Sequence, residues 1–207
     1  MDYFLRPKPA YYVIKRELAE IALGIERVVT KTKTHEWTRN SIITKQTTFK
    51  IWGINSRLQD QGGLQLLLKV WDIPSGKPII LENTSPRSVT LKPNQSTELY
   101  EFCIPSGGDN LVIEAQLVFD GKIIARHANW PEPIKYADVS AEPGISIKSE
   151  GEKLLVTAKK PVKGLWFSIE DDEVMFEDNF IDLMPGEMRE IHVHGLNGRE
   201  IQARWYH

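Results

Sequence analysis

Cysteine is almost missing from this chain: Cys103 is the single one in 207 residues. An intrachain disulfide framework and a multi-cysteine metal site are therefore excluded, and a reducing compartment is expected. No apolar run approaches the roughly 18–20 residues of a membrane span. The richest stretch, Leu64–Trp71, is interrupted by Gln65 and Lys69. Neither sign of charge dominates, with 26 basic against 28 acidic residues, a net charge of −2 and a pI of ≈ 6.2. That balance gives no electrostatic footprint for nucleic acid or an anionic membrane, so neither is expected as a partner. Met1 is followed by Asp2-Tyr3-Phe4-Leu5, which has none of the tripartite character of a signal peptide. A nucleophile elbow, a P-loop and a dinucleotide fingerprint are all lacking, and no cofactor is expected. No repeat of 20–50 residues or low-complexity segment appears.

What remains is ordinary for a soluble globular chain, with 41% apolar and 26% charged residues. The length suits one or two domains. The organising stretch is Arg126–Tyr136, where Pro131 and Pro133 remove two backbone donors and force the chain out of a sheet. Just before it, Leu111–Asp120 and Ile123–His127 read as strands joined by an Asp120-Gly121 turn. Trp130 is placed to cover the joint with an apolar ring.

At the start of the chain, Pro7 and Pro9 suit a helix's first turn, and Tyr11, Ile14, Leu18 and Ile21 recur at helical spacing. The helix is expected to stop near Gly24. From Glu26 onward the period becomes two. Thr47, Phe49 and Ile51 alternate with Thr48, Lys50 and Trp52, and dense apolar runs follow at Leu64–Asp72, Ile79–Glu82, Ser88–Leu91 and Thr97–Ile104. In Leu111–Phe119, Ile113, Ala115, Leu117 and Phe119 should point inward, with Glu114 and Gln116 outward. Past Val139, strands are expected at 145–148, 154–158, 165–170, 174–176, 190–194 and 200–205. Asn197-Gly198 is read as the turn of a terminal hairpin. The fold class is therefore mainly β: two consecutive Ig-like antiparallel sandwiches behind one helix. The boundaries fall at 1–25, 26–138 and 139–207.

The residues do not assemble an active site. His192 and His194 share one face of a strand, as two metal ligands would, but no third ligand follows at a fixed spacing; they read as exposed strand histidines, and no metal is assigned. The run Glu170–Glu173 lacks the order of a calcium loop and reads as a solvated turn. Glu177 and Asp178 are adjacent, so they cannot be assumed to face each other across a sugar as a glycosidase pair does. Cys103 reads as a small buried residue. Two acceptor triplets, at Asn83 and Asn94, would matter only after secretion. Among six tryptophans, Trp52 and Trp71 lie within strands and read as core or contact residues. Trp37, in the polar stretch Thr34–Asn40, is the candidate for a surface platform that stacks on sugar.

Several long segments carry a resemblance. RPKPAYYVIKRELA at residues 6–19 resembles the last helix of the catalytic (β/α)8 barrel in the β-mannosidases of glycoside hydrolase family two. KIWGINS at 50–56, LKPNQSTELY at 91–100 and RHANWPEPIKY at 126–136 are similar to the sandwich that follows the barrel in the fungal members. KPVKGL at 160–165, DNFIDLMPGE at 178–187 and GLNGREIQAR at 195–204 are similar to the family's terminal Ig-like domain.

The resemblance implies a non-catalytic C-terminal region whose partner is the barrel of the same parent. That parent would hydrolyse terminal β-linked mannose with retention, using two glutamates upstream of this sequence. None of the glutamates here matches either motif, so no catalytic residue is carried over. A manno-oligosaccharide is a further possible partner, and an intracellular setting is favoured, with secretion left open. Two alternatives stay open: an autonomous carbohydrate-binding module, and the same tail in an exo-glucosaminidase or endo-mannosidase. If the helix once belonged to a barrel, its apolar face should be exposed, rearranged or covered by an oligomer contact; otherwise it packs on the domain that follows.

Overall fold

A computed structural model describes residues 6–35, 41–105, 108–169 and 174–207. The chain divides into two units. One takes in residues 19–72 and 78–137, the other residues 1–18, 73–77 and 138–207.

The first unit is a sandwich of long strands. β1 (Ile21–His35) and β2 (Ser41–Asn55) pair antiparallel over their full lengths, and β5 (Gln95–Ile104) joins β2 on its other side. The second sheet has the order β4 (Arg87–Leu91), β3 (Gln61–Asp72), β6 (Leu111–Phe119), β7 (Lys122–Asn129). Alternation does what a half-buried strand requires. Phe49 and Ile51 enter the core with Ile21, Leu23 and Ile25 from one sheet, meeting Leu64, Leu66, Ile113 and Leu117 from the other. Phe49 stacks on Phe102 with ring centroids 5.2 Å apart. Arg27 ties β1 to the facing sheet: its guanidinium donates to the carbonyls of Gly108 and Leu111 and to Asn129 Oδ1, at 2.6–2.8 Å.

Four sequence expectations change here. The helix ends at Glu17, and Ile21 and Gly24 belong to β1. Ile21 fits a helical stripe through Ile14 as well as the alternation Ile21, Leu23, Ile25; the strand prevails because all three then reach the core. Ile79–Glu82 forms no strand, only a bridge between Trp71 and Pro78 followed by a 3-10 turn at Glu82–Thr84, since Pro78 and Pro86 each lack a ladder donor. β6 is buried on both faces, so Glu114 (2% exposed) and Gln116 (1%) are enclosed while Phe119 is exposed. Gln116 Nε2 donates to Glu114 Oε2 at 2.8 Å and Arg126 lies 3.6 Å away, which is how a carboxylate tolerates enclosure. Cys103 is only partly buried and receives a hydrogen bond from Gln46.

The second unit is a smaller sandwich. β11 (Met175–Phe176), β13 (Arg189–His194), β9 (Lys153–Thr157) and β8 (Ser146–Glu150) make one sheet. β12 (Ile181–Leu183), β10 (Val162–Ser168) and β14 (Gln202–Tyr206) make the other. Leu154, Val156, Leu165, Phe167, Ile181, Ile191 and Val193 form its core. The terminal hairpin is corrected too: β14 pairs with β10, not with β13. Asn197 and Gly198 do adopt the positive φ values, 41° and 73°, that their pairing suggests. The turn they make carries the chain from one sheet to the other, because Leu196 beside it is drawn into the core.

The helix α1 (Pro9–Glu17) belongs to this second unit. Tyr12 is buried edge-on against Trp166, centroids 5.9 Å apart. Arg16 pairs with Asp178 and donates to the carbonyls of Asn179 and Phe180 at 3.0 and 2.9 Å. Lys15 Nζ caps the Glu177 carbonyl at 2.7 Å. The stripe Tyr11, Ile14 and Leu18 is exposed, at 41%, 54% and 80%.

Candidate functional site

The residues singled out for chemistry are occupied with structure. Asp178 is held by Arg16 and lies 3.5 Å from Arg189, so its carboxylate secures the helix. Glu177 turns instead toward His194, at 3.6 Å. The two neighbours thus serve different contacts. His192 and His194 stand on the outer face of β13, as read; His192 meets Glu190 at 3.3 Å and His194 meets Glu152 at 3.9 Å. Glu190 also receives Lys153 at 2.7 Å, and that hydrogen bond, with the nearby charges, holds its carboxyl below the usual value. Trp37 and the run 170–173 lie outside the described residues.

Among the tryptophans, Trp71 of β3 is buried, and so is Trp130 just past the end of β7. Trp52 is not. It is half-buried on the outer face of the sheet β1-β2-β5, outside the core cluster of that sandwich.

The geometry around Trp52 follows from register. Gly24 of β1 lies opposite Trp52, and Glu98 of β5 lies opposite on the other side. The next row is Glu26, Lys50 and Glu101. Glu98 and Glu101 are three apart, yet both line the same groove. A β-bulge between Ile51 and Trp52 on β2 inserts an extra residue in β5 and resets the alternation there. Gly24 makes the seat for the indole: a Cβ there would lie 2.5–2.7 Å from Nε1, Cε2 and Cζ2 of Trp52. The ring therefore lies over bare backbone, a close approach that only glycine in a strand permits, with its other face turned from the sheet.

The groove measures about 610 Å³ and is walled by Trp52, Leu99 and Tyr100 with Glu26, Lys50, Glu98 and Glu101. Lys50 Nζ lies 4.0 Å from Glu26, leaving the carboxylates in excess. An aromatic face bordered by hydrogen-bond acceptors can hold a ring that is apolar on one side and polar at its rim. The signal available in the sequence was the pair Gly24 and Trp52, which only the β1–β2 register brings together.

Comparison with known proteins places these elements. Residues 47–136 match the Mannosidase Ig/CBM-like domain family, and residues 140–204 match a second family described as an Ig-fold domain. Beta-mannosidase B of Thermothelomyces thermophilus is 34% identical over 99% of this chain, and that of Emericella nidulans 35% identical over 99%. The chain spans only about a quarter of the length of either, 25% and 24%. Among solved structures, a β-D-mannosidase from Dictyoglomus thermophilum superposes with a TM-score of 0.73 at 17% identity, covering 100% of this chain and 24% of that one. An exo-chitosanase of Amycolatopsis orientalis gives 0.56 at 16%, covering 100% of this chain and 27% of its own. At such identities these structures speak for the fold alone.

Proposed function

This chain consists of the paired Ig-type domains of the β-mannosidase family, and from that premise we propose that it is the non-catalytic, supporting region of a β-mannosidase. The parent would remove terminal β-D-mannose from the non-reducing end of oligosaccharides, with retention, by glutamates located on a catalytic barrel that precedes these domains. Residues up to Leu18 are taken as the end of that barrel, with a domain seam near Asp138. The observation that carries this reading is α1. Its polar side is fastened to the small sandwich through Arg16 and Tyr12, while Tyr11, Ile14 and Leu18 present an apolar stripe. A helix whose apolar side stands exposed among the described residues suits one that a further domain covers.

The carboxylates support the same reading. Of the adjacent pair Glu177 and Asp178, Asp178 is engaged by Arg16 and Glu177 turns toward His194. A glycosidase needs two carboxyl groups about 5–10 Å apart across a sugar-sized cleft. The purified chain, incubated with a chromogenic aryl β-D-mannoside, is expected to give no turnover above buffer. Turnover by the chain alone would overturn the proposal. Reading the gene ahead of Met1 is expected to reveal a barrel with two glutamates at strand ends.

A further inference from the structure

We propose that the groove over Trp52 is a binding site for a short oligosaccharide of amino sugars, with one pyranose ring stacked on the free face of the indole. The proposal goes beyond the supporting role given above and does not depend on it. The site is built rather than incidental. Trp52 can lie flat only because Gly24 opposite it has no side chain, and Glu98 and Glu101 reach one groove only because β5 is bulged beside them. A strand of strict alternation would send one of the two carboxylates into the core.

The choice of ligand follows from shape and charge. The indole face turned from Gly24 offers a flat, polarisable surface on which the C–H side of a pyranose packs, and carboxylates predominate at the rim. Among the described residues lining the groove, Glu26, Glu98 and Glu101 face one cation, Lys50, which lies 4.0 Å from Glu26. Two carboxylates, Glu98 and Glu101, thus remain to accept from an ammonium group and its neighbouring hydroxyls. Hydrogen bonds from a charged donor to a carboxylate are the stronger kind, so a ring bearing an ammonium is preferred over a neutral one. A uronic acid would meet like charge and be rejected.

The test uses the whole chain, with glucosamine oligomers, mannobiose and oligogalacturonate as three separate ligands. Binding is followed by calorimetry and by the indole N–H resonance of Trp52, identified as the one lost in Trp52→Phe. Glucosamine oligomers are expected to bind saturably in the millimolar range and to shift that resonance. Binding should weaken with added salt, as exposed charge pairs do. Mannobiose should bind more weakly and oligogalacturonate not at all. Trp52→Ala should lower the affinity about tenfold, the loss of one stacking contact. Glu98→Gln combined with Glu101→Gln keeps the size of both exposed side chains, so it leaves the fold intact, and should remove the preference for the amino sugar. Absence of saturable binding by glucosamine oligomers overturns the proposal. So does mannobiose binding as tightly as they do, or binding that leaves the Trp52 resonance unmoved.

Discussion

Asn179 does with one side chain what a strand neighbour does with its backbone. Its amide accepts from the N–H of Phe167 and donates to the carbonyl of the same residue, both at 2.8 Å, and it accepts as well from Phe180 N–H. The residue is 1% exposed, so replacement leaves buried groups without partners. Asn179→Ala is expected to lower the unfolding free energy of the small sandwich by about 2–4 kcal/mol, read from denaturant unfolding. Tyr12 gives a prediction with a pH axis. Burial, then the neighbouring Tyr11 and Asp178, pushes its phenol from 10.0 up to about 12. The folded state therefore keeps a proton that the unfolded chain has lost. Stability from this group is whole below the unfolded value and declines as pH rises from 10.0 toward about 12. The difference in melting temperature between wild type and Tyr12→Phe should be flat at neutral pH. It should shift in favour of the phenylalanine variant across that alkaline window. A difference that stays constant would show that the phenol is not buried as described. Arg27 shows the opposite direction: burial lowers its guanidinium to about 10, which leaves it charged at neutral pH and bound to its carbonyls.

At the scale of elements, α1 has one strong fastening. Arg16 reaches the Asp178 carboxylate and the carbonyls of Asn179 and Phe180 from a single guanidinium, and nine residues are too few for a helix to persist without tertiary contacts. Arg16→Ala is expected to destabilise the helix by about 1–3 kcal/mol, and amide exchange across residues 11–18 should lose its protection first. Protection unchanged in that variant would mean that Tyr12 alone docks the helix. The same helix shows what a sequence can and cannot disclose. Its start, the alternation through Phe49 and Ile51, and the Asp120-Gly121 hairpin were legible because each is set by neighbours in the chain. Its end was not, since Ile21 satisfies helical and strand periods alike and only the distant core decides. The Asn197-Gly198 turn was legible in its dihedrals and not in its partner strands, because turn chemistry fixes φ while sandwich packing chooses the sheet. Glu114 reads as outward by alternation, and outward it is; the sequence carries no sign that this second face of β6 is also enclosed. The groove over Trp52 failed to appear for a related reason. A glycine and a tryptophan 28 residues apart become one feature only through a register that neither residue specifies.

For the whole molecule, the decisive property is that its two units are not two consecutive stretches of sequence. The small sandwich includes residues 1–18 and 73–77 as well as 138–207. Gly76, at φ 69°, lies so close to the Lys159 carbonyl that a Cβ would stand 2.6 Å from it, which fixes the short segment 73–77 in that unit. A sandwich of about 70 residues has a thin core and is marginal by itself, so segments borrowed from elsewhere in the chain contribute a large share of its stability. Deleting residues 1–18 removes Tyr12 from Trp166 and Arg16 from Asp178, none of which belongs to the core that holds Phe49 and Ile51. Native-state exchange on the truncated chain should show the amides of Leu154, Val156 and Val193 losing protection. Those of Phe49, Ile51 and Leu66 should keep theirs, because they draw on the other core. Equal loss at both sets would mean that the helix supports the chain as one cooperative body. No loss at either would mean that the small sandwich stands without it. The expected selective loss matters for function as well: a sandwich that needs the preceding helix to hold its own fold stays fastened to that helix.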